Sequence, residues 1–175
     1  LTFSSLIVAY IFGILAGAWL AWRRGSRTEA AALPVVLATR AMPEFWLGMV
    51  LLAIFSFSLG WFPAGGTRSA GTSYDSLWQL YTSSNFLSHL FLPMMTLAIY
   101  SQGLPLLLMR SNMLDVMKED FVTMAKIKGL SPYAVVIRHG ARNAMLPVMT
   151  SFAIAVGYQL QGNVVVESVF SWPGL

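Results

Sequence analysis

Apolar residues fall along this chain into four long runs separated by polar stretches. The runs cover residues 3–22, 45–62, 91–109 and 144–162, and none holds an internal charge. A membrane-crossing helix needs about 20 mostly apolar residues, so each run predicts one crossing. Trp19, Trp22, Trp61, Phe62 and Phe91 stand near run ends, where aromatic rings favour the lipid–water interface. Within the first run, Ser5, Ala9, Gly13, Gly17 and Ala21 recur at every fourth position. Such spacing lines one helix face with small side chains and predicts a packing seam against another helix. The competing reading is that small residues are simply common in membrane helices. The pattern does not name the partner helix.

The polar stretches are organised too. Residues 30–42, "AAALPVVLATRAM", are apolar but precede Pro43. They predict either an extension of the second crossing kinked at proline or a helix lying at the interface. Arg40 and Glu44 are spaced i, i+4, which allows an ion pair at the membrane edge or two separately snorkelling side chains. "PAGGTRSAGTSYDS" (63–76) predicts turns and irregular structure. "SLWQLYTSSNFLSHLFLP" predicts a short interfacial helix before the third run.

The longest stretch, 111–143, reads as two helices. From Asn112 to Lys128, Met113, Met117, Phe121 and Met124 fall three or four apart, with Lys118, Glu119, Asp120 and Lys126 off that line. Gly129 suits the left-handed position that ends a helix. Ser131 can cap a new helix and Pro132 fits its first turn, where a missing N–H costs nothing. The second helix runs through Arg138 and Arg142 into Pro147 and the fourth run. The product is a helical knob with Lys128, Gly129, Leu130, Ser131 and Pro132 at its tip. An amphipathic loop lying on anionic lipid is the alternative.

Charge sets the orientation. With four crossings, 23–44 and 110–143 share one side and hold Arg23, Arg24, Arg27, Arg40, Arg110, Lys118, Lys126, Lys128, Arg138 and Arg142. The other side, 63–90 and 163–175, holds only Arg68. Lys and Arg concentrate on the cytoplasmic side, so 111–143 is expected in the cytoplasm and 63–90 and 163–175 outside it. Composition agrees with a lipid-embedded chain: 57% of residues are apolar and 10% charged, against about 25% charged in soluble domains. A net charge of +4 scattered among apolar runs gives no nucleic-acid surface. The chain has no cysteine, and its histidines, His89 and His139, are far apart, so no metal site is expected. It opens at Leu1 inside an apolar run and ends at "SWPGL", which reads as a segment of a longer protein. The first run leads into Arg23 and Arg24 and not a cleavage site, unlike a signal peptide.

Polar groups inside the runs are few. Gln102 lies in the third, and Gln159 and Gln161 near the end of the fourth. They either line a translocation path or bond between helices. Pro93, Pro105 and Pro147 predict kinks. There is no G-x-x-x-x-G-K-[ST] phosphate loop and no catalytic constellation, so no enzyme activity is expected of this chain. An ion-coupled secondary carrier would place ionisable residues at membrane depth, and the four runs contain none. A membrane scaffold protein would not need the knob.

"TMAKIKGL" (123–130) followed by "IRHGARNAMLPV" (137–148) resembles the cytoplasmic signature loop of ABC-importer permeases. Thr123, Met124 and Ala125 fall where that family has Glu-Ala-Ala, and only Ala125 keeps the consensus. The wider spacing from Gly129 to Leu146-Pro147 is similar to the oligopeptide/dipeptide/nickel branch. "WRRGS" (22–26), "PEFWLG" (43–48), "LGWFPAGG" (59–66), "ARNAMLPV" (141–148) and "VVVESVFSWPGL" (164–175) resemble that branch as well. The resemblance implies a type I importer subunit of six spans, two of them outside this chain. It implies that Thr123, Met124, Ala125, Lys128, Gly129, Leu130, Ser131 and Pro132 form the contact with a cytoplasmic ATPase. It also implies a second related permease, two ABC ATPases holding ATP and Mg, an extracytoplasmic binding protein, and a prokaryotic inner-membrane location. This chain itself would carry no cofactor. The solute would be a peptide or a related small molecule, nickel included.

Overall fold

A computed structural model describes residues 1–74, 76–159 and 162–173. The described residues are helical, without strands. The helices are α1 (Thr2–Trp22), α2 (Arg27–Ala41), α3 (Glu44–Leu51), α4 (Leu77–Thr82), α5 (Ser84–Ser101), α6 (Gly103–Val116), α7 (Asp120–Ile127), α8 (Pro132–Ala134), α9 (Arg142–Gln159) and α10 (Val164–Val169). Wider π-type turns extend α3 through Leu52–Ser58 and join α8 to α9 through Val135–Ala141.

Side-chain oxygens start several of these helices by accepting otherwise unpaired N–H groups. Ser26 accepts from Glu29 N, Ser83 from Phe86 N, and Asn163 from Val166 N. At α2 the device is reciprocal, because the Glu29 carboxylate accepts from Gly25 N at 2.6 Å. This is a capping box shifted by one residue.

α1 is central. Its small-residue face is buried, including Ser5, Ala9, Gly13, Gly17 and Ala21, while Ile7, Ile11, Leu15, Trp19 and Trp22 are exposed. A Cβ on Gly13 would lie 2.8 Å from Pro105 Cγ, and one on Gly17 2.4 Å from the Leu106 carbonyl oxygen. α6 therefore meets α1 backbone to backbone. Lipid tails are as apolar as leucine, so apolar burial alone would not drive this association; close packing carries it. Leu6, Tyr10, Met109, Met113, Ala144 and Val148 extend the contact to α9, where the Tyr10 and Ser151 hydroxyls bond at 3.1 Å. Leu20, Val36 and Leu106 hold α2 beside α1 and α6. Leu52, Leu92, Leu97, Val166 and Phe170 join α3, α5 and α10.

Several expectations are corrected. Residues 45–62 do not form one continuous helix: the helical path ends at Ser58, and Gly60 turns at φ 64. The run 91–109 belongs to two helices, α5 and α6, bent by 40° at Gln102. The helix expected over 112–128 is interrupted between Val116 and Asp120. Its apolar line divides there, with Met113 buried on α6 and Phe121 and Met124 exposed on α7.

Of the two readings of Arg40 and Glu44, the ion pair does not form. α2 and the helical path from Glu44 meet at 106°, and Glu44 accepts instead from Asn163 Nδ2 at 3.1 Å. That contact also bears on depth. The charge pattern set Glu44 at the cytoplasmic edge and residue 163 at the outer one, separated by a hydrocarbon layer of about 30 Å. Residues in contact cannot hold both positions. Val36 packing against Leu20 and Leu106 shows that α2 runs alongside the bundle.

Among the described helices, α1 alone is long and apolar enough to cross a membrane unaided. The pairs α2 with α3 and α5 with α6 qualify if each counts as one bent crossing.

Candidate coupling knob and central cleft

The knob lies between the end of α6 and the start of α9. Val122 and Ala125 turn the inner side of α7 against Val135, beside Met117. Thr123 and Met124 are exposed. α7 then ends in a Schellman motif: Gly129 N–H donates to Lys126 O at 3.0 Å, and Leu130 N–H to Ala125 O at 3.3 Å. The motif needs a left-handed residue, and Gly129 supplies it at φ 75. Ser131 Oγ accepts from Ala134 N at 3.3 Å and opens the next helix, with Pro132 as its first residue. Lys128 is the exposed residue on which α7 ends.

The knob is attached at three further points. The rings of Trp22 and Tyr133 lie 6.5 Å apart. Gly140 admits Met117, whose Sδ would be 3.1 Å from a Cβ placed there. Asn112 Nδ2 donates to Ala144 O at 3.3 Å. On its outer side the knob shows Phe121, Met124, Ile127, Leu130 and Tyr133, flanked by exposed Lys126, Lys128 and Arg138. An apolar ridge edged with cations on a braced helix pair suits insertion into a groove of another protein.

At the base of α2, Glu29 is almost fully buried. Arg110 Nε donates to Glu29 Oε1 at 2.8 Å, and a second guanidinium nitrogen reaches the same oxygen. Arg110 stands just beyond the apolar run that became α6, so this fork ties α2 to α6. The Gly25 N–H and the Arg110 guanidinium between them pair the buried Glu29 carboxylate. Sequence reading missed this pair. The Ser26-x-x-Glu29 pattern was a usable signal for the cap, but nothing in it pointed to Arg110.

Helix ends meet at two places: Arg40, at the end of α2, lies against Gly103 at the start of α6, and Glu44, at the start of α3, bonds Asn163 before α10. At the first of these lies a cleft of about 250 Å³ whose lining includes Tyr10, Arg40, Tyr100, Ser101, Tyr158 and Gln159. Gln159 thus reaches the cleft. Gln102 sits at the α5–α6 bend next to Ser101. Gln161 lies outside the described residues. The cleft's tyrosines and Arg40 were not singled out in sequence as path residues, because their helices had to be assembled first.

Comparison with known proteins gives the following. Residues 13–175 match the family described as binding-protein-dependent transport system inner membrane component. The whole chain is 37% identical over 192 residues to the di/tripeptide transport system permease protein DppB of Pseudomonas aeruginosa, covering 55% of that protein. It is 35% identical over 174 residues to the oligopeptide transport system permease protein AppB of Bacillus subtilis, with 99% of this chain and 52% of that one aligned. It is 37% identical over 175 residues, its full length, to the glutathione transport system permease protein GsiC of Escherichia coli K12, again covering 52%. The chain spans about half the length of these relatives.

Proposed function

Because the chain belongs to the family of binding-protein-dependent transport system inner membrane components, we propose that it is part of a permease subunit of an ATP-driven importer. In this reading the solute is a peptide or a peptide-like molecule, as the names of its relatives suggest. The subunit pairs with a second, related permease. Two cytoplasmic ABC ATPases bind ATP and Mg and drive the cycle, and an extracytoplasmic protein delivers the solute.

The observation that carries the reading is the knob. Its turn is fixed by Gly129 and its two helices are braced by Val122, Ala125 and Val135, so a push on Leu130 is transmitted to α6 and α9 and not absorbed. Thr123, Met124, Lys128, Leu130 and Ser131 present the contact, with Ala125 inside it and Gly129 and Pro132 shaping the turn. ATP-driven closure of the ATPases would rock α6 and α9 against α1.

The crossings in this reading are α1, α2 with α3, α5 with α6, and α9 continued by α10. The knob faces the cytoplasm and 63–90 the outer side, in a prokaryotic inner membrane. Breaks in helical backbone at membrane depth are tolerated where they line a cavity, and here Ser101 at the end of α5 and Gln159 at the end of α9 line the cleft. Arg40 and Glu44 then also stand at depth. Missing charges therefore no longer separate an importer from an ion-coupled carrier; family membership and the knob do.

The test uses the absence of native cysteine in this chain. With Leu130→Cys in the full-length subunit, a short thiol cross-linker should join it to a groove cysteine on the ATPase in inside-out vesicles, with a yield that changes when ATP is added. Labelling by a soluble thiol reagent without any cross-link to an ATPase would remove the coupling role.

A further inference from the structure

Arg40 is the only charged residue among the described residues that line the cleft. Its side chain is exposed, and its guanidinium has no hydrogen-bond or ion-pair partner among the described residues. The carboxylates at the α3 and α10 ends are engaged: Glu44 accepts from Asn163 Nδ2, and Glu167 from Asn163 N. The stem of Arg40 is also placed. It crosses Gly103, where a Cβ would fall 2.4 Å from Arg40 Cδ and 2.6 Å from Cγ. A side chain there would push the arginine stem aside from the path it takes across the α5–α6 bend into the cleft.

Around it stand neutral groups able to donate hydrogen bonds: Tyr100, Ser101, Tyr158 and Gln159. A cation at membrane depth is costly unless it meets an anion or water, and a guanidinium fork matches a carboxylate in shape and charge. We propose that Arg40 is an anion contact in the translocation path, engaging the carboxylate of a solute as it passes the cleft. The inference rests on the importer reading and adds a substrate class to it: solutes carrying a free carboxylate.

The first arm needs no transport. Ser101→Cys is introduced into the full-length complex, and its rates with a sulfonate and a trimethylammonium thiol reagent of similar size are compared. The sulfonate should be favoured, and Arg40→Gln should lower the ratio about fivefold, the effect of removing one charge close to the thiol at an exposed site. Gly103→Ala, which displaces Arg40 without deleting it, should also lower the ratio. Arg40→Lys should keep most of it. A ratio unchanged by Arg40→Gln and by Gly103→Ala, or a cysteine that neither reagent reaches, overturns the proposal and returns Arg40 to a lipid headgroup or protein contact.

The second arm measures ATP-driven uptake of trialanine by the complete complex in proteoliposomes. Arg40→Gln should reduce uptake about tenfold and Arg40→Lys by much less. Wild-type uptake that Arg40→Gln leaves intact overturns the anion contact but spares the importer. If the wild type takes up no peptide or peptide-like solute, the importer reading fails, and the anion contact stands or falls on the labelling ratio.

Discussion

At Gly17 an added methyl group would sit 2.4 Å from the carbonyl oxygen of Leu106 and 2.9 Å from Met109 Cβ. A backbone atom cannot rotate away as a side chain can, so α6 itself must move. At Gly157, on α9, the same methyl would meet nothing within 4 Å. Alanine gains up to about 1 kcal/mol over glycine inside a helix, whereas overpacking costs about 1–3 kcal/mol. Gly17→Ala should therefore lower the melting temperature of the detergent-purified full-length subunit, and Gly157→Ala should leave it equal or higher. Equal behaviour of the two variants would deny the α1–α6 seam. The four-residue spacing of small side chains made this face legible in sequence. Its partner was not, because Pro105 and Leu106 carry no mark that they fit against glycine.

For the element α2, the fork from Arg110 to Glu29 is the fastening to watch. Glu29→Gln leaves the Arg110 guanidinium without its carboxylate, and Arg110→Gln leaves the buried carboxylate without its cation. Leaving a buried polar group unpaired costs about 1–3 kcal/mol, so either variant should lower the melting temperature of the detergent-purified full-length subunit. Unchanged melting in both would deny the fork. The knob offers the opposite lesson in legibility. Gly129 and Ser131-Pro132 could be located because capping chemistry is local. The break between Val116 and Asp120 could not, since Met117, Phe121 and Met124 keep a helical spacing across it. Tertiary packing turned α7 so that Val122 and Ala125 face inward instead.

Across the whole molecule, with Arg40 set aside at depth, nine Lys and Arg residues in the two stretches assigned to one side stand against Arg68 in those assigned to the other. In the full-length subunit, a cysteine at Leu130 should react with an impermeant maleimide only in inside-out vesicles, and one at Ser69 only in right-side-out cells. Cysteines at Ile11 and Leu15, on the exposed apolar face of α1, should resist the reagent in both until detergent is added. Reaction of Leu130→Cys and Ser69→Cys from the same side would break the proposed topology. The helical class and family kinship were decided by sequence, because apolar run length, positive-charge bias and glycine-proline punctuation act locally and survive without coordinates. What the tertiary structure alone decided is depth and partnership. Glu44 meets Asn163, Arg40 crosses Gly103, and Glu29 meets Arg110. Each pair joins elements far apart in the chain, and the register of one helix against another follows from packing that no single segment encodes.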